Sequence, residues 1–159
     1  MVRRPPKNSA AQNAAGPSLR AQAVRLLARR EYARAELEAR LVAKGASRAD
    51  VSAVLDELSA LGYVSNERFA QALAEQKAGR YSRRSIASEL KAKGVDADDI
   101  HAALATTGVD DASALEALWQ RRFGRPPADN REKARQVRFL QSRGFSLSAI
   151  LGLLRKVAS

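Results

Sequence analysis

Apolar residues along this chain recur at the spacing of helices, and they do so three times. Aligned on Gly45, Gly94 and Gly144, which lie 49 and 50 residues apart, three stretches share one register. Four residues before each glycine stands a leucine: Leu41, Leu90 and Leu140. Eight before stand Leu37 and Ile86, but Gln136 in the third stretch, where Val137 can take the apolar role. Six after come Val51, Ile100 and Ile150, and ten after come Leu55, Leu104 and Leu154. Apolar residues four apart make a stripe along one helix. A glycine ends that helix in the left-handed conformation that a Cβ resists. Two residues later Ser47, Asp96 or Ser146 can accept the free N–H groups of a following helix. Each stretch therefore reads as helix, tight turn, helix.

A further helix precedes each pair. Residues 18–29 carry Leu19, Ala23, Leu26 and Leu27; residues 66–77 carry Phe69, Ala70 and Leu73, with Asn66 as cap; residues 111–123 carry Leu115, Leu118 and Trp119. Gly62, Gly79, Gly108, Gly124, Pro126 and Pro127 punctuate the connections, and no segment reads as a strand. The predicted fold is all-α: three tandem three-helix, helix-turn-helix-like repeats over residues 18–62, 63–109 and 110–159. Residues 1–17, with Arg3, Arg4, Lys7, three prolines and no acid, read as a disordered basic tail.

Composition narrows the class. Nearly half of the apolar residues are alanine, which favours helix but buries little surface, so thin, segmented cores are expected. Cysteine is absent and His101 is the single histidine, which excludes disulfides, thiol nucleophiles and histidine-rich metal sites. His101 reads as a surface or partly buried residue without partners for catalysis. The acid pairs Glu36/Glu38, Asp56/Glu57 and Asp98/Asp99 read as polar faces and helix starts. No phosphate-binding loop or nucleophile motif occurs, so neither an enzyme nor a cofactor is expected. Nothing resembles a secretory leader or a membrane span, and a cytoplasmic location is expected.

The formal net charge is +11, with arginine far commoner than lysine. It divides as +3 over residues 1–17, +2 over 18–62, +1 over 63–109 and +5 over 110–159. Three basic residues, Lys44, Lys93 and Arg143, directly precede the turn glycines. There a cation complements the helix dipole, with partner contact as a second role. Three more, Arg34, Arg83 and Lys133, recur eleven before the glycines. The dipole disfavours cations at helix starts, so this row is either a ligand-facing surface or a solvated face. Around it lie Arg84, Arg131, Arg135 and Arg138. Arginine favours forked contacts to carboxylate or phosphate. Tyr32 and Tyr81, thirteen before their glycines and beside basic residues, suit either helix packing or stacking at an interface.

The stretch LEARLVAKGASRADVSAVLDELSALGYVSNERFAQALAEQKAGRYSRRSIASELKAKGVDADDIHAAL resembles the RecX family, bacterial regulators of the RecA recombinase. The signals are the KG turn with a β-branched helix face after it, the LGYVSNERFA segment and the repeated ELKAKGV. Where the family usually has an Asn–Asp pair, Ser65-Asn66 stands here. The likeness runs from about Ser18 to Val157 and is loosest in the third unit, where Gln136 interrupts the apolar pattern. It implies an elongated, curved, monomeric arrangement of the three repeats. It implies binding to the RecA filament on single-stranded DNA, in its groove or at its growing end. Inhibition of strand exchange, ATP hydrolysis and coprotease activity would follow. The family offers no catalytic residue to carry over, and the basic positions named above are the matching contact candidates.

Two other classes compete: a tandem helix-turn-helix protein that binds DNA directly, and a helical adaptor for acidic partners. Weak direct DNA binding is compatible with the leading reading too. If the recurrent row is the contact surface, reversing Arg34, Arg83 and Lys133 together to glutamate leaves a folded protein that no longer inhibits; retained inhibition would exclude that row.

Overall fold

A computed structural model describes residues 18–159; the basic tail lies outside the described residues. Nine helices follow one another among these residues. The first three are α1 (Leu19–Leu27), α2 (Arg34–Ala43) and α3 (Arg48–Ala60). Next come α4 (Asn66–Lys77), α5 (Arg83–Ala92) and α6 (Ala97–Thr107). The last are α7 (Asp111–Arg122), α8 (Asn130–Ser142) and α9 (Leu147–Ala158). The expected helix–turn–helix units and their leading helices are all present. The chain divides into two compact units, one ending at Phe69 and one starting at Ala70.

The three turns are built alike. After α2 the Ala46 N–H donates to the Leu41 carbonyl and the Gly45 N–H to that of Val42. Val95 to Leu90 and Gly94 to Lys91 repeat the pair after α5, as do Phe145 to Leu140 and Gly144 to Gln141 after α8. This double closure needs a left-handed residue, and Gly45, Gly94 and Gly144 have φ of 107°, 83° and 91°. The predicted caps follow: Ser47, Asp96 and Ser146 accept the N–H groups of Asp50, Asp99 and Ala149 at 3.2, 2.9 and 3.1 Å. Residues just after the glycines matter as well. Val95 and Phe145 are buried there, tying each turn to its core.

Each leading helix has its own cap. Ser18, Ser65 and Asp110 accept from Ala21, Arg68 and Ser113. The Ser113 N–H holds the Asp110 carboxyl below its ordinary pKa, so this cap survives mild acid and is lost as pH falls through the lowered value. Asn66 is not the cap of α4, contrary to expectation: Ser65 is. The Asn66 side chain instead accepts the Arg34 N–H at 2.9 Å, at the start of α2. Its neighbour Ala33, at the cap position, makes no side-chain cap. Asp111, first residue of α7, does the same for the Arg83 N–H at 2.9 Å. A donor orphaned at the start of a middle helix is thus satisfied by the first residue of the leading helix that follows.

The cores are narrow. In the first, Ala23, Tyr32, Leu37, Leu41, Val51, Leu55, Leu58 and Val64 pack together. In the third, Leu115, Leu118, Trp119, Leu140, Phe145, Ile150, Leu153 and Leu154 do so. Gln136 does not cede its place to Val137. It is 1 % exposed at the position of Leu37 and Ile86, and Val137 only borders the core. The Trp119 indole N–H donates to Gln136 Oε1 at 2.9 Å, and Gln136 Nε2 donates to the Arg125 carbonyl at 3.2 Å. A buried amide is tolerated because its polar groups are paired.

The turn at Gly144 lies against α5. A Cβ there would come within 2.5 Å of Ser82 Oγ and 2.6 Å of Ser85 Cβ, whereas one on Gly45 would meet nothing within 4 Å. Alanine at position 45 carries only the left-handed cost, about 1 kcal/mol. Alanine at position 144 adds an overpacking cost of about 1–3 kcal/mol. Thermal melts followed by circular dichroism should therefore rank Gly144→Ala well below Gly45→Ala; equal melting temperatures would contradict the close approach.

Candidate functional site

The recurrent basic positions fall into two groups once their surroundings are seen. Arg34 opens α2 and reaches α3, where its guanidinium donates to the Ser52 carbonyl at 3.3 Å and to Asp56 at 2.6 Å. Arg83 opens α5 and donates to the carbonyls of Leu104 at 3.0 Å and Val109 at 3.3 Å, at and beyond the end of α6. These two arginines fasten the middle helix of a repeat to its third helix. Arg83 meets the carbonyl end of α6, where the helix dipole favours a cation, whereas Arg34 meets a carbonyl and a carboxylate within α3. Both arginines of the row are thus engaged within their own repeat. Lys133 shares the register but not the role. Its helix begins earlier, at Asn130, so Lys133 sits within α8 and is exposed.

The residues before the glycines also differ. Lys44, Lys93 and Arg143 each occupy the C-cap of their helix, as the dipole argument expects. Lys44 is exposed, while Lys93 and Arg143 are half-buried. Arg143 is built into the contact between α5 and the α8–α9 turn. Its carbonyl accepts the Ser82 N–H at 2.9 Å, its guanidinium donates to the Tyr81 hydroxyl, and it lies 4.9 Å from the Tyr81 ring and 5.0 Å from that of Phe139. Its guanidinium is thus engaged within the fold.

Tyr32 and Tyr81 pack against neighbouring side chains. Tyr32 is buried in the first core with the Arg30 guanidinium 3.6 Å from its ring, and Arg40 donates to its hydroxyl at 3.3 Å. Tyr81 is half-buried between Arg143 and Lys77, whose ammonium is 4.8 Å from the ring. His101 is exposed. Among the described residues no three metal-ligating side chains cluster, and no helix is long and apolar enough to cross a membrane.

What remains is a set of cations without a partner among the described residues. Lys44, Arg84, Arg131, Lys133, Arg135 and Arg138 are exposed. Three of them, Arg131, Arg135 and Arg138, stand at positions i, i+4 and i+7 of α8, hence on one face. That face points away from the side carrying buried Gln136 and Leu140. In the sequence these arginines are indistinguishable from Arg34 and Arg83, because spacing does not say which cations have acceptors nearby.

The clamping role has a measurable consequence. Arg83→Ala leaves two carbonyls without their charged donor, which should cost about 1–3 kcal/mol in urea unfolding. Lys133→Ala should stay within about 0.5 kcal/mol of the parent. Similar losses for both would remove the distinction. The triple reversal of Arg34, Arg83 and Lys133 consequently damages the fold and does not isolate a contact surface.

Three family models match, one per repeat: the first three-helix domain of RecX over residues 20–58, the second over 65–104 and the third over 110–154. The regulatory protein RecX of Chromobacterium violaceum is 45% identical over 141 residues, covering 89% of this chain and 91% of that protein. The regulatory protein RecX of Leptothrix cholodnii is 42% identical over 138 residues, with 87% and 88% covered. The crystal structure of RecX from Lactobacillus salivarius is similar in fold, with a TM-score of 0.63 at 17% identity over 88% of this chain and 94% of that one. With every repeat matched in order and with relatives this similar along nearly their whole length, the chain belongs to the RecX family.

Proposed function

We propose that the protein regulates the RecA recombinase by binding its filament on single-stranded DNA and inhibiting strand exchange, ATP hydrolysis and coprotease activity. It acts as a cytoplasmic, non-enzymatic monomer, in the filament groove or at the growing end. The observation that carries this reading is family membership across all three repeats. The surplus of unpaired cations supports it, since a filament presents acidic protein and phosphate together and attracts a basic protein over distance.

The tandem helix-turn-helix reading loses ground on where the third helix of each repeat points. In α3, Val51, Leu55 and Leu58 are buried, and in α9, Ile150, Leu153 and Leu154 are. These helices pack inward and offer few of the Asn, Gln and Arg side chains that read base edges.

The test is the ATPase of RecA on single-stranded DNA with increasing amounts of the protein. Inhibition well below one copy per RecA is expected from end capping, and inhibition near stoichiometry from groove binding. No inhibition, together with no co-sedimentation with filaments, would sink the proposal.

A further inference from the structure

Repeat three treats its charges differently from repeat one. In the first, Arg20 pairs with Glu57, Arg30 with Glu36 and Arg34 with Asp56, at 2.5, 3.1 and 2.6 Å. Over residues 110–159 the ion pair among the described residues is Lys156–Glu116, at 3.6 Å and well exposed. The other acids there accept backbone N–H groups. Asp110 accepts from Ser113, Asp111 from Arg83, Asp129 from Glu132, and Glu132 from Ala128. Helix ends have taken the carboxylates, and the arginines of α8 are left facing solvent.

We infer that Arg131, Arg135 and Arg138 form a contact strip for the sugar-phosphate backbone of single-stranded DNA, independent of base sequence. The inference deepens the filament reading and rests on it for its biological setting. Two observations select phosphate over protein carboxylate. A protein interface is anchored by apolar or aromatic side chains in its centre. Among the described residues the exposed large apolar ones are Leu61, Tyr63 and Leu147, and none lies on α8. Second, the strip is linear and carries one sign of charge. Seven residues of helix span about 10 Å, comparable to about three successive phosphates of one strand. Guanidinium forks suit phosphate oxygens at such spacing. Contacts of this kind position a protein on nucleic acid without reading it.

The experiment measures anisotropy of a labelled oligo-dT with the full chain and with Arg131→Ala/Arg135→Ala/Arg138→Ala, across salt concentrations and without RecA. Single-strand contacts contribute a salt slope of about 0.7 per phosphate neutralised, so the variant should lose about 2 from the slope and bind about a hundredfold more weakly at about 0.1 M salt. These side chains have no partner among the described residues, so an unchanged circular-dichroism melt is expected. If the alanine variant melts early, Arg131→Gln, Arg135→Gln and Arg138→Gln are measured singly, each expected to remove about one third of the slope change. Mixed-sequence single strands should bind as oligo-dT does. Failure of the parent to bind, or an identical slope in a folded variant, overturns the strip. A parent that inhibits RecA yet binds no DNA overturns the strip alone, whereas one that binds DNA without touching filaments overturns the filament reading.

Discussion

Unsatisfied backbone groups at helix ends are the constraint on which this fold turns. Nine short helices among the described residues leave many orphaned donors and acceptors. The cores are narrow, and an orphaned buried polar group costs too much for so little apolar burial to absorb. The chain answers with side chains placed at every junction. Serine or aspartate caps the third helix of each repeat, glycine closes the turn before it, and Asn66 and Asp111 serve the helix that came earlier. Arg83 completes the set from the other side by meeting the carbonyl of Leu104 in the last turn of α6, and Arg34 adds a tie to the interior of α3. Polar satisfaction and chain order are thereby coupled, because the acceptor for one repeat arrives with the start of the next leading helix.

The same constraint sorts the charges. An acid used as a cap cannot neutralise a distant arginine. In residues 110–159 the acids are mostly caps, and the net surplus there is +5. In the first repeat Glu57, Glu36 and Asp56 are available as ion-pair partners, and the repeat is nearly balanced. Surface charge is therefore set by local backbone chemistry as well as by composition.

The helices, the turns and their caps were legible from the sequence because they depend on residues a few positions apart: Leu41, Gly45 and Ser47, or Leu140, Gly144 and Ser146. Long-range partners were not. Nothing near Asn66 in sequence says that it accepts from Arg34, thirty-two residues earlier. Gln136 looked like a break in an apolar stripe because its partner, Trp119, stands on another helix. Arg34, Arg83 and Lys133 looked equivalent in register, yet only two have carbonyls within reach. Among the basic positions, spacing does not say which cations already have acceptors; Arg34 and Arg83 do, Arg131 and Arg135 stay exposed.

The pairing of Trp119 with Gln136 gives the molecule an internal optical reporter. Trp119 is the single tryptophan of the chain, it is 4 % exposed, and its indole N–H is engaged inside the third core. Tryptophan emission, excited apart from the three tyrosines, therefore reports the loosening of the third repeat, so that emission and circular dichroism followed together separate local opening of one repeat from loss of the whole.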